Sequence, residues 1–385
     1  MRTAAVIGAS LAGLSTARAL RQQGFDGRLV IVGDEPHRPY DRPPLSKDFL
    51  AGKSSDIGLR TPDDEALDFD WRLGTRALSL NPHDRSIALS NGQTLRCDGV
   101  VIATGARARW LPGTEGVNGV HVLRTLDDAI RLRSELVPGV RLVVVGAGFI
   151  GAEVASTARY LGADVTVIEA EPLPMLRQFG KELGTICAGL HADHGVRLIT
   201  GVTVQRILGA SRVRSVELAD GRQIPAEVVV VGIGAVPNFE WLAGSGLELA
   251  NGVVTDAACA TGLPEVVAVG DVAASYSVHL HERHRSEHWT NALEQPVTAA
   301  ATLLGGPRPH LSVPYFWSDQ YGVRIQFAGT RREGDTVRVI EGDTGRRSFI
   351  AAYERGGVLV GVLAMNQPKL FARWRRQLAR PVLAP

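Results

Sequence analysis

Two glycine-rich segments have the residue types and the spacing that bind a diphosphate. GASLAG spans residues 8–13 and GAGFIG spans residues 146–151, and each separates a short β-rich stretch from a helical pattern. Backbone N–H groups at a helix N-terminus attract negative charge, and glycine lets a diphosphate approach them closely. One such segment is weak evidence, but two in the same strand, turn and helix context predict two dinucleotide-binding units. The positions concerned are Gly8, Ser10, Gly13, Gly146, Gly148 and Gly151, with serine in the middle of the first segment.

Each predicted unit also has a carboxylate at the end of its second strand. Asp34 ends the stretch RLVIVGD, and Glu169 ends the stretch DVTVIE. Both lie roughly 20 residues beyond the last glycine, where an acid accepts hydrogen bonds from ribose hydroxyls. A carboxylate at a strand end can also be a solvated turn residue, but the preceding glycine segment favours ribose binding here.

Further apolar runs should form buried strands around these units. CDGVVIATGA (97–106), AEVVVVGIGAVPN (226–238) and PEVVAVGDVA (264–273) all end in small residues. The third contains Gly270 and Asp271, and an acid there could bond a ribityl chain or cap a helix. Two dinucleotide sites in one chain indicate electron transfer from one nucleotide cofactor to another.

The segment RPYDRPPLSK, residues 38–47, is unusually rigid and basic. It contains three prolines and three cations. Proline restricts its own backbone and that of the preceding residue, which excludes a regular helix and a flexible loop alike. Taken alone, the segment would be a stiff surface loop.

Composition excludes several classes of function. The chain has 385 residues, enough for two or three domains, and 42 cations against 40 anions leave a net charge of only +2. That balance argues against a nucleic-acid-binding protein. The apolar N-terminal stretch MRTAAVIGASLAGLSTARAL fits a strand, turn and helix better than an export signal, so we expect a cytoplasmic protein. No run approaches the roughly 18 apolar residues that span a bilayer, so we expect no membrane insertion. The three cysteines lie far apart, with no close pair for a redox disulfide or a metal site.

The chain resembles the flavin-dependent ferredoxin reductases of bacterial oxygenase systems, within the glutathione-reductase-like superfamily. The glycine segments alone indicate the superfamily, whereas YDRPPLSK and WSDQ in this order are specific to the family. The resemblance implies an oxidoreductase that takes hydride from NADH onto FAD and passes single electrons to a small iron–sulfur ferredoxin serving an oxygenase. Its markers are YDRPPLSK, the ATG turn, LRTLDDA, VGAGFIGAEVA, VVVGIGAVPN, VAVGDVA, EHWTNALEQ and YFWSDQ.

The resemblance also implies an α/β fold with two Rossmann-like domains, one inserted in the other, and a C-terminal α+β domain. The FAD-binding domain would be discontinuous and comprise residues 1–112 and 240–309. The NADH-binding domain would comprise residues 113–239, and the C-terminal domain residues 310–385. The oligomeric state does not follow from the sequence.

The family pattern assigns further cofactor contacts. Arg42 would meet the phosphates of FAD, and Lys47 would lie near the isoalloxazine ring, in a segment that the prolines order in advance. Glu153 would face Lys47 at the nicotinamide pocket as the second catalytic residue, although the helix dipole alone also favours an acid there. The other contacts that the markers imply are Thr104, Gly105, Arg124, Gly234, Trp289 and Trp317. Surface pairing, helix capping and core packing are the ordinary alternatives for these charged and aromatic side chains.

Three other functions compete with this interpretation. A disulfide reductase of the same superfamily needs a CxxxxC pair in the first domain, and Cys97 is the only cysteine before residue 187. An NADH oxidase or peroxidase with a single cysteine needs it near the flavin, and residues 41–47 contain none. An NADH-sensing interaction protein, like the apoptosis-inducing relatives, would bind the cofactors without rapid turnover.

Two further segments invite a function. VHLHERHRSEH contains four histidines, but their spacing does not make a recognisable metal site, and we predict a polar, solvated loop. PKLFARWRRQLARP, near the C-terminus, contains Lys369, Arg373, Arg375, Arg376 and Arg380. Such a basic helix could steer an acidic ferredoxin, or it could be a solvated helix whose Phe371 and Trp374 pack inward.

Overall fold

The structure is a computed structural model that describes residues 1–378. Its helices are α1 (Leu11–Gln22), α2 (Leu126–Glu135), α3 (Phe149–Tyr160), α4 (Leu176–Asp193), α5 (Trp289–Leu303) and α6 (Pro368–Leu378). The strands up to residue 145 are β1 (Thr3–Ile7), β2 (Arg28–Val32), β3 (Phe69–Arg72), β4 (Ala77–Asn81), β5 (Ser86–Leu89), β6 (Thr94–Arg96), β7 (Gly99–Ile102), β8 (Ala106–Ala108), β9 (Val120–His121) and β10 (Arg141–Val145).

The remaining strands follow in chain order. Those up to residue 268 are β11 (Asp164–Glu169), β12 (Arg197–Thr200), β13 (Val204–Leu208), β14 (Ser215–Leu218), β15 (Gln223–Pro225), β16 (Val228–Val231), β17 (Ala235–Pro237), β18 (Val253–Thr255) and β19 (Val266–Ala268). The last ones are β20 (Ala273–Ser277), β21 (Glu282–Arg285), β22 (Tyr315–Gln320), β23 (Val323–Gly329), β24 (Thr336–Asp343), β25 (Ser348–Arg355) and β26 (Val358–Met365).

The first compact unit comprises residues 1–41, 58–107 and 236–315. Its central sheet is parallel, with the strand order β19-β7-β1-β2-β3. Successive residues of β1 point to opposite faces. Ala4 and Val6 pack on one face with α1 and α5, whereas Ala5 and Ile7 pack on the other face with β4 and β5. Because both faces are covered, the strand is an unbroken apolar run, as parallel strands usually are.

The second compact unit comprises residues 42–57, 108–235 and the described residues from 316 onward. Its parallel sheet has the order β12-β11-β10-β16-β9. A second sheet in this unit, β22-β23-β26-β25-β24, has antiparallel neighbours among its last four strands. The apolar face of that sheet packs on α4, with Phe179 and Leu183 of the helix against Phe327 and Tyr353 of the strands.

The predicted α/β fold class is confirmed, because each unit contains a parallel sheet with its β–turn–α glycine segment and the C-terminal residues form a separate sheet with a helix. Residues 42–57 and the C-terminal sheet belong to the same compact unit as residues 108–235. The division into FAD-binding, NADH-binding and C-terminal domains stays a prediction, since compactness does not show what a segment binds.

Two local predictions are revised by the structure. The histidine-rich segment is not a loop throughout, because residues 282–285 form β21, which pairs antiparallel with β20 and aligns His284 with Ser275. The basic C-terminal segment does form a helix, α6, with Phe371 buried, but Arg373 and Trp374 both bond the carboxylate of Glu341. Arg380 lies outside the described residues.

No helix in residues 1–378 combines the length and the apolar character needed to cross a bilayer.

Candidate functional site

The second glycine segment forms a tight turn between β10 and α3. A Cβ atom on Gly146, which has φ of 99°, would lie 2.4 Å from the carbonyl oxygen of Gly232. A Cβ on Gly151 would lie 2.0 Å from the carbonyl oxygen of Gly146, so neither position accepts a side chain. Gly148 is the N-cap of α3, and a Cβ there would meet nothing within 4 Å. The N-terminus of α3 therefore presents open backbone, which fits a dinucleotide diphosphate.

Glu169 ties the end of β11 to this turn. One carboxylate oxygen accepts the N–H of Ala147 at 2.7 Å, and the other accepts the N–H of Glu171 at 2.9 Å. Each oxygen of a carboxylate has a second lone pair, so both can still accept a hydroxyl. The position suits a ribose acceptor and also holds the glycine turn in place.

The first glycine segment forms the same kind of tight turn between β1 and α1. A Cβ on Gly8, with φ of 123°, would lie 2.0 Å from the carbonyl oxygen of Ala103, and a Cβ on Gly13 would lie 1.8 Å from that of Gly8. Ser10 takes the N-cap position of α1 with an extended backbone. The serine that replaces the middle glycine therefore stands where Gly148 stands in the second copy.

Two carboxylates, Asp34 and Glu35, follow β2, whereas only Asp34 was predicted. Asp34 is exposed and accepts two hydrogen bonds from the guanidinium of Arg76, at 3.2 and 3.1 Å. Glu35 is half-buried, and the hydroxyl of Tyr40 donates to it at 2.5 Å. Glu35 was not predicted, although its place at the same strand end was a sufficient signal.

The small-residue turns of the first unit are braced by side chains. The hydroxyl of Thr104 donates to the carbonyl of Asn238 at 2.6 Å, and the amide of Asn238 donates back to the carbonyl of Thr104 at 3.0 Å. Gly105 has φ of 64° and Gly270 has φ of 71°, a region that favours glycine. The N–H of Gly270 donates to the side chain of Gln295 at 2.8 Å.

Three other predicted contacts also lie on loops or at helix starts. The backbone carbonyl of Asp271 accepts from the guanidinium of Arg285 at 3.0 Å. Trp289 begins α5, and its indole N–H donates to Asp41 of the YDRPPLSK motif at 2.7 Å. Gly234, in the second unit, has φ of 100° and follows β16.

A buried ion pair joins the proline-rich motif to α3 within the second unit. Residues Pro43–Ser46 form a 3-10 turn, and Lys47 follows it. The ammonium of Lys47 lies 2.5 Å from a carboxylate oxygen of Glu153, whose side chain is only 3% exposed. The hydroxyl of Thr157, one turn further along α3, donates to the carbonyl of Ser46 at 2.7 Å and fixes this approach.

Two serines complete the environment of the Glu153 carboxylate. Ser46 donates to it at 2.5 Å and Ser318, on β22, donates to it at 2.7 Å. The amide of Gln320 donates to the Ser318 hydroxyl at 3.0 Å, so the serine proton points to the carboxylate. A buried charge is costly unless it is paired and hydrogen-bonded, and these donors meet that need. Both serines were missed, although each adjoins a predicted residue, Lys47 or Trp317.

The structure also brings together two arginines predicted to contact the flavin. The guanidinium of Arg42 donates to the backbone carbonyl of Arg124 at 2.5 Å. Arg124 precedes Thr125, the N-cap of α2, which forms a reciprocal capping box with Asp128. Trp317 neighbours Ser318 on β22, with the guanidinium of Arg324 5.8 Å from the centre of its ring.

The predicted site residues thus fall into two groups by unit. Gly8, Ser10, Gly13, Asp34, Thr104, Gly105, Gly270, Asp271 and Trp289 lie in the first unit. Arg42, Lys47, Arg124, Gly146, Gly148, Gly151, Glu153, Glu169, Gly234 and Trp317 lie in the second unit.

The cysteines are unsuited to redox chemistry. Cys97, Cys187 and Cys259 are all buried and unpaired. Burial raises the pKa of Cys97 to about 11 and that of Cys187 and Cys259 to about 12. The thiolate is the reactive form of cysteine, so these thiols are inert at neutral pH. Within residues 1–378 no three His, Cys, Asp or Glu side chains come together as a metal site.

Comparisons with known proteins identify relatives along most of the chain. Residues 2–295 match the model of the pyridine nucleotide-disulphide oxidoreductase family, and residues 315–383 match that of the reductase C-terminal family. The chain is 41% identical to the ferredoxin–NAD(+) reductase component of the biphenyl dioxygenase system of Paraburkholderia xenovorans, over 89% of this chain and 84% of the relative. It is 36% identical to putidaredoxin reductase of Pseudomonas putida, over 95% of this chain and 89% of the relative. The crystal structure of the covalent putidaredoxin reductase–putidaredoxin complex superimposes with a TM-score of 0.94 at 34% identity, over 98% of this chain and 93% of that chain.

Proposed function

The chain belongs to the pyridine nucleotide-disulphide oxidoreductase family, and we propose that it is an FAD-containing, NADH-dependent ferredoxin reductase. It takes hydride from NADH and supplies single electrons to a small iron–sulfur ferredoxin that serves an oxygenase. The relatives that match most of the chain include the ferredoxin–NAD(+) reductase component of a biphenyl dioxygenase system and putidaredoxin reductase. We place the protein in the cytoplasm, where NADH is available.

The observation that carries the proposal is the buried Lys47–Glu153 pair. Its carboxylate, Glu153, lies on α3, the helix whose N-terminus offers open backbone at Gly148. Burying two charges costs free energy, and apolar residues of similar volume stabilise a fold at least as well. The Lys47–Glu153 pair, whose surroundings come from three elements, therefore serves a purpose other than stability. A charge pair next to a dinucleotide site is suited to orienting a nicotinamide ring.

FAD, when bound, accepts two electrons as hydride and releases them one at a time. The residues of this chain would bind the two nucleotides and would orient and polarise the nicotinamide ring. The backbone N–H groups at the start of α3 would hold the NADH diphosphate, and Glu169 would accept ribose hydroxyls. Lys47 and Glu153 would orient the nicotinamide, with Ser46 and Ser318 holding the carboxylate in place. In the first unit, Gly8, Ser10 and Gly13 would hold the FAD diphosphate, and Asp34 its ribose.

Arg42 would neutralise the FAD phosphates, since a guanidinium group binds phosphate oxygens in a pair of hydrogen bonds. Arg124 would contact the flavin. Trp289 and Trp317 would form aromatic walls beside the flavin. No cysteine takes part, because all three thiols are buried.

The direct test combines cofactor analysis with turnover. The protein purified with FAD should contain one noncovalent FAD per chain, released by acid precipitation. It should reduce at least one of a panel of ferredoxins while NADH is consumed in the ratio of one NADH to two reduced ferredoxins. An FAD-loaded protein that binds NADH but reduces neither ferredoxins nor a small dye would overturn the proposal and favour the NADH-sensing alternative.

A further inference from the structure

The segment after Glu169 contains an ion pair that the proposed reaction leaves unexplained. The N–H of Glu171 donates to the Glu169 carboxylate at 2.9 Å, so Glu171 directly borders the proposed ribose acceptor. The side chain of Glu171 in turn accepts from Arg177, whose Nε lies at 3.0 Å and whose Nη2 lies at 2.5 Å from the same oxygen. A continuous series of contacts therefore runs from the proposed ribose acceptor to the Arg177 guanidinium.

The backbone of Arg177 is held in a separate turn. Helix α4 is broken at Gly180, which has φ of 80° and ψ of 179°, so residues 176–179 form a single turn ahead of the main helix. Arg331 donates to the carbonyls of Leu176 and Arg177, at 3.4 and 3.3 Å. The hydroxyl of Tyr353 donates to the carbonyl of Phe179 at 2.8 Å. This turn places Arg177 against a residue six positions earlier, a spacing that no regular helix brings together.

The stability of the fold does not account for this pair. The side chain of Arg177 is 81% exposed and that of Glu171 is 36% exposed. Exposed pairs of this kind contribute at most about 1 kcal/mol. The pair instead determines whether the Arg177 guanidinium is available to a ligand. This matters because a guanidinium is the preferred protein ligand of a phosphate group.

We propose that Glu171 is a specificity-determining residue that keeps the enzyme from using NADPH. It engages Arg177, the cation that would otherwise bind a 2′-phosphate, and it adds a negative charge beside Glu169. The chain thus contains a latent 2′-phosphate site that its own carboxylate occupies. This inference rests on the proposed use of NADH and names the residue that enforces it.

The test uses FAD-loaded protein with Glu171→Gln, Arg177→Gln and the double substitution, and leaves Glu169 unchanged. Calorimetry measures the Kd of NADP+ and of NAD+, and steady-state kinetics measures kcat/KM for NADPH and NADH. Glu171→Gln should bind NADP+ about tenfold more tightly than wild type, the effect of one hydrogen bond to a charged group. Its Kd for NAD+ should stay within about twofold of wild type, since no contact of NAD+ depends on the Arg177 charge.

The double variant shows whether the tighter binding of NADP+ comes from Arg177 or from relief of repulsion. If Arg177 binds the phosphate, the double variant binds NADP+ more weakly than Glu171→Gln and keeps only the part of the gain that comes from relief of repulsion. If it keeps the whole gain, relief of repulsion alone explains it, and the role of Arg177 is overturned. An unchanged Kd for NADP+ in folded Glu171→Gln protein would overturn the inference while NADH turnover still supported the proposed function. Loss of NADH turnover in wild type would instead overturn the proposed function, and calorimetry would still report on the pair.

Discussion

At the scale of single residues, we expect flavin reduction to depend on the Lys47–Glu153 pair. Lys47→Met and Glu153→Gln keep side-chain volume but remove one charge of the pair. We expect the rate of flavin reduction by NADH, measured by stopped flow, to fall at least about tenfold, equivalent to ~1.4 kcal/mol of activation free energy. The melting temperature should also fall, because breaking a buried pair leaves an uncompensated charge.

Lys53→Ala is the matched control for that experiment. Lys53 is an exposed lysine of the same segment, with its ammonium 3.9 Å from the centre of the Tyr160 ring. It should reduce flavin at the wild-type rate. Folded Lys47→Met and Glu153→Gln proteins that also react at the wild-type rate would remove the pair from the site.

Glu169 should contribute, together with Glu171, to the preference for NADH over NADPH in wild type. Glu169→Gln replaces one carboxylate oxygen with an NH2 group, which cannot accept from a ribose hydroxyl and faces the N–H of Ala147 or Glu171. We expect kcat/KM for NADH to fall about tenfold, because one hydrogen bond to a charged group is worth on the order of 1.4 kcal/mol. The ratio of kcat/KM for NADH to that for NADPH should therefore decrease. Glu182→Gln, at an exposed position of α4, is the control. Equal kcat/KM for the two nucleotides in wild type would contradict this role.

At the scale of elements, two glycines of one turn should respond differently to alanine. Gly151→Ala places a Cβ 2.0 Å from the Gly146 carbonyl oxygen, and overpacking of this kind costs about 1–3 kcal/mol. The melting temperature should fall by roughly 3–10 °C. Gly148→Ala faces open space and has φ of −72°, so its melting temperature should fall less than that of Gly151→Ala, by the small cost of a poorer N-cap, whereas its NAD+ binding should weaken. Wild-type NAD+ affinity in Gly148→Ala would place the diphosphate elsewhere.

Helix α4 should make the fold sensitive to acid. His191 is 1% exposed, its Nδ1 lies 2.8 Å from the Tyr321 hydroxyl, and burial, followed by the charge of His194, lowers its pKa to about 4. Between pH 6.5 and 4 the unfolded chain binds a proton that the folded chain does not, so stability falls as pH falls through this range. The contribution lost between pH 7 and 5 is about 2 kcal/mol.

Chemical denaturation of His191→Asn and wild type at several pH values measures this contribution. Asparagine can still bond Tyr321 but does not titrate, so the free energy of unfolding of the variant should fall less between pH 7 and 5. Parallel pH dependence in the two proteins would show that His191 does not contribute.

At the scale of the whole molecule, we expect α6 to offer a ferredoxin a basic surface that is smaller than its sequence suggests. Lys369 and Arg376 are exposed, whereas Arg373 is engaged by Glu341. Exposed charges are screened within about 8 Å at physiological ionic strength. Ferredoxin-coupled turnover should therefore fall as salt rises, while NADH-driven reduction of a small neutral dye changes little.

Charge reversal at Lys369 and Arg376 should reproduce that difference at low salt. Docking would weaken and hydride transfer would not, because electrostatic complementarity acts mainly on the rate of encounter. Lys181→Glu with Arg197→Glu, two exposed cations elsewhere in the second unit, is the matched control. Wild-type rates of ferredoxin reduction in the Lys369 and Arg376 variant would place the docking surface on other cations.

The sequence by itself determined the features that depend on neighbours along the chain. The glycine segments, the buried strands β1, β7, β10, β16 and β19 and the acids at strand ends follow from local sterics and periodicity. The family markers added the Lys47–Glu153 pair. The histidine-rich segment was predicted wrongly as a loop, because its pairing with β20 compensates for its polar sequence.

Only the tertiary structure decided which groups surround the site charges. Ser46 and Ser318 lie 107 and 165 positions from Glu153, and neither local spacing nor the family markers indicated that these serines contact it. Glu171 and Arg177 are close in sequence, yet they meet only because Gly180 breaks α4 and Arg331 holds the preceding turn. Hydrogen bonds and ion pairs form wherever the folded backbone places their partners, so packing of distant segments settles which charges are paired.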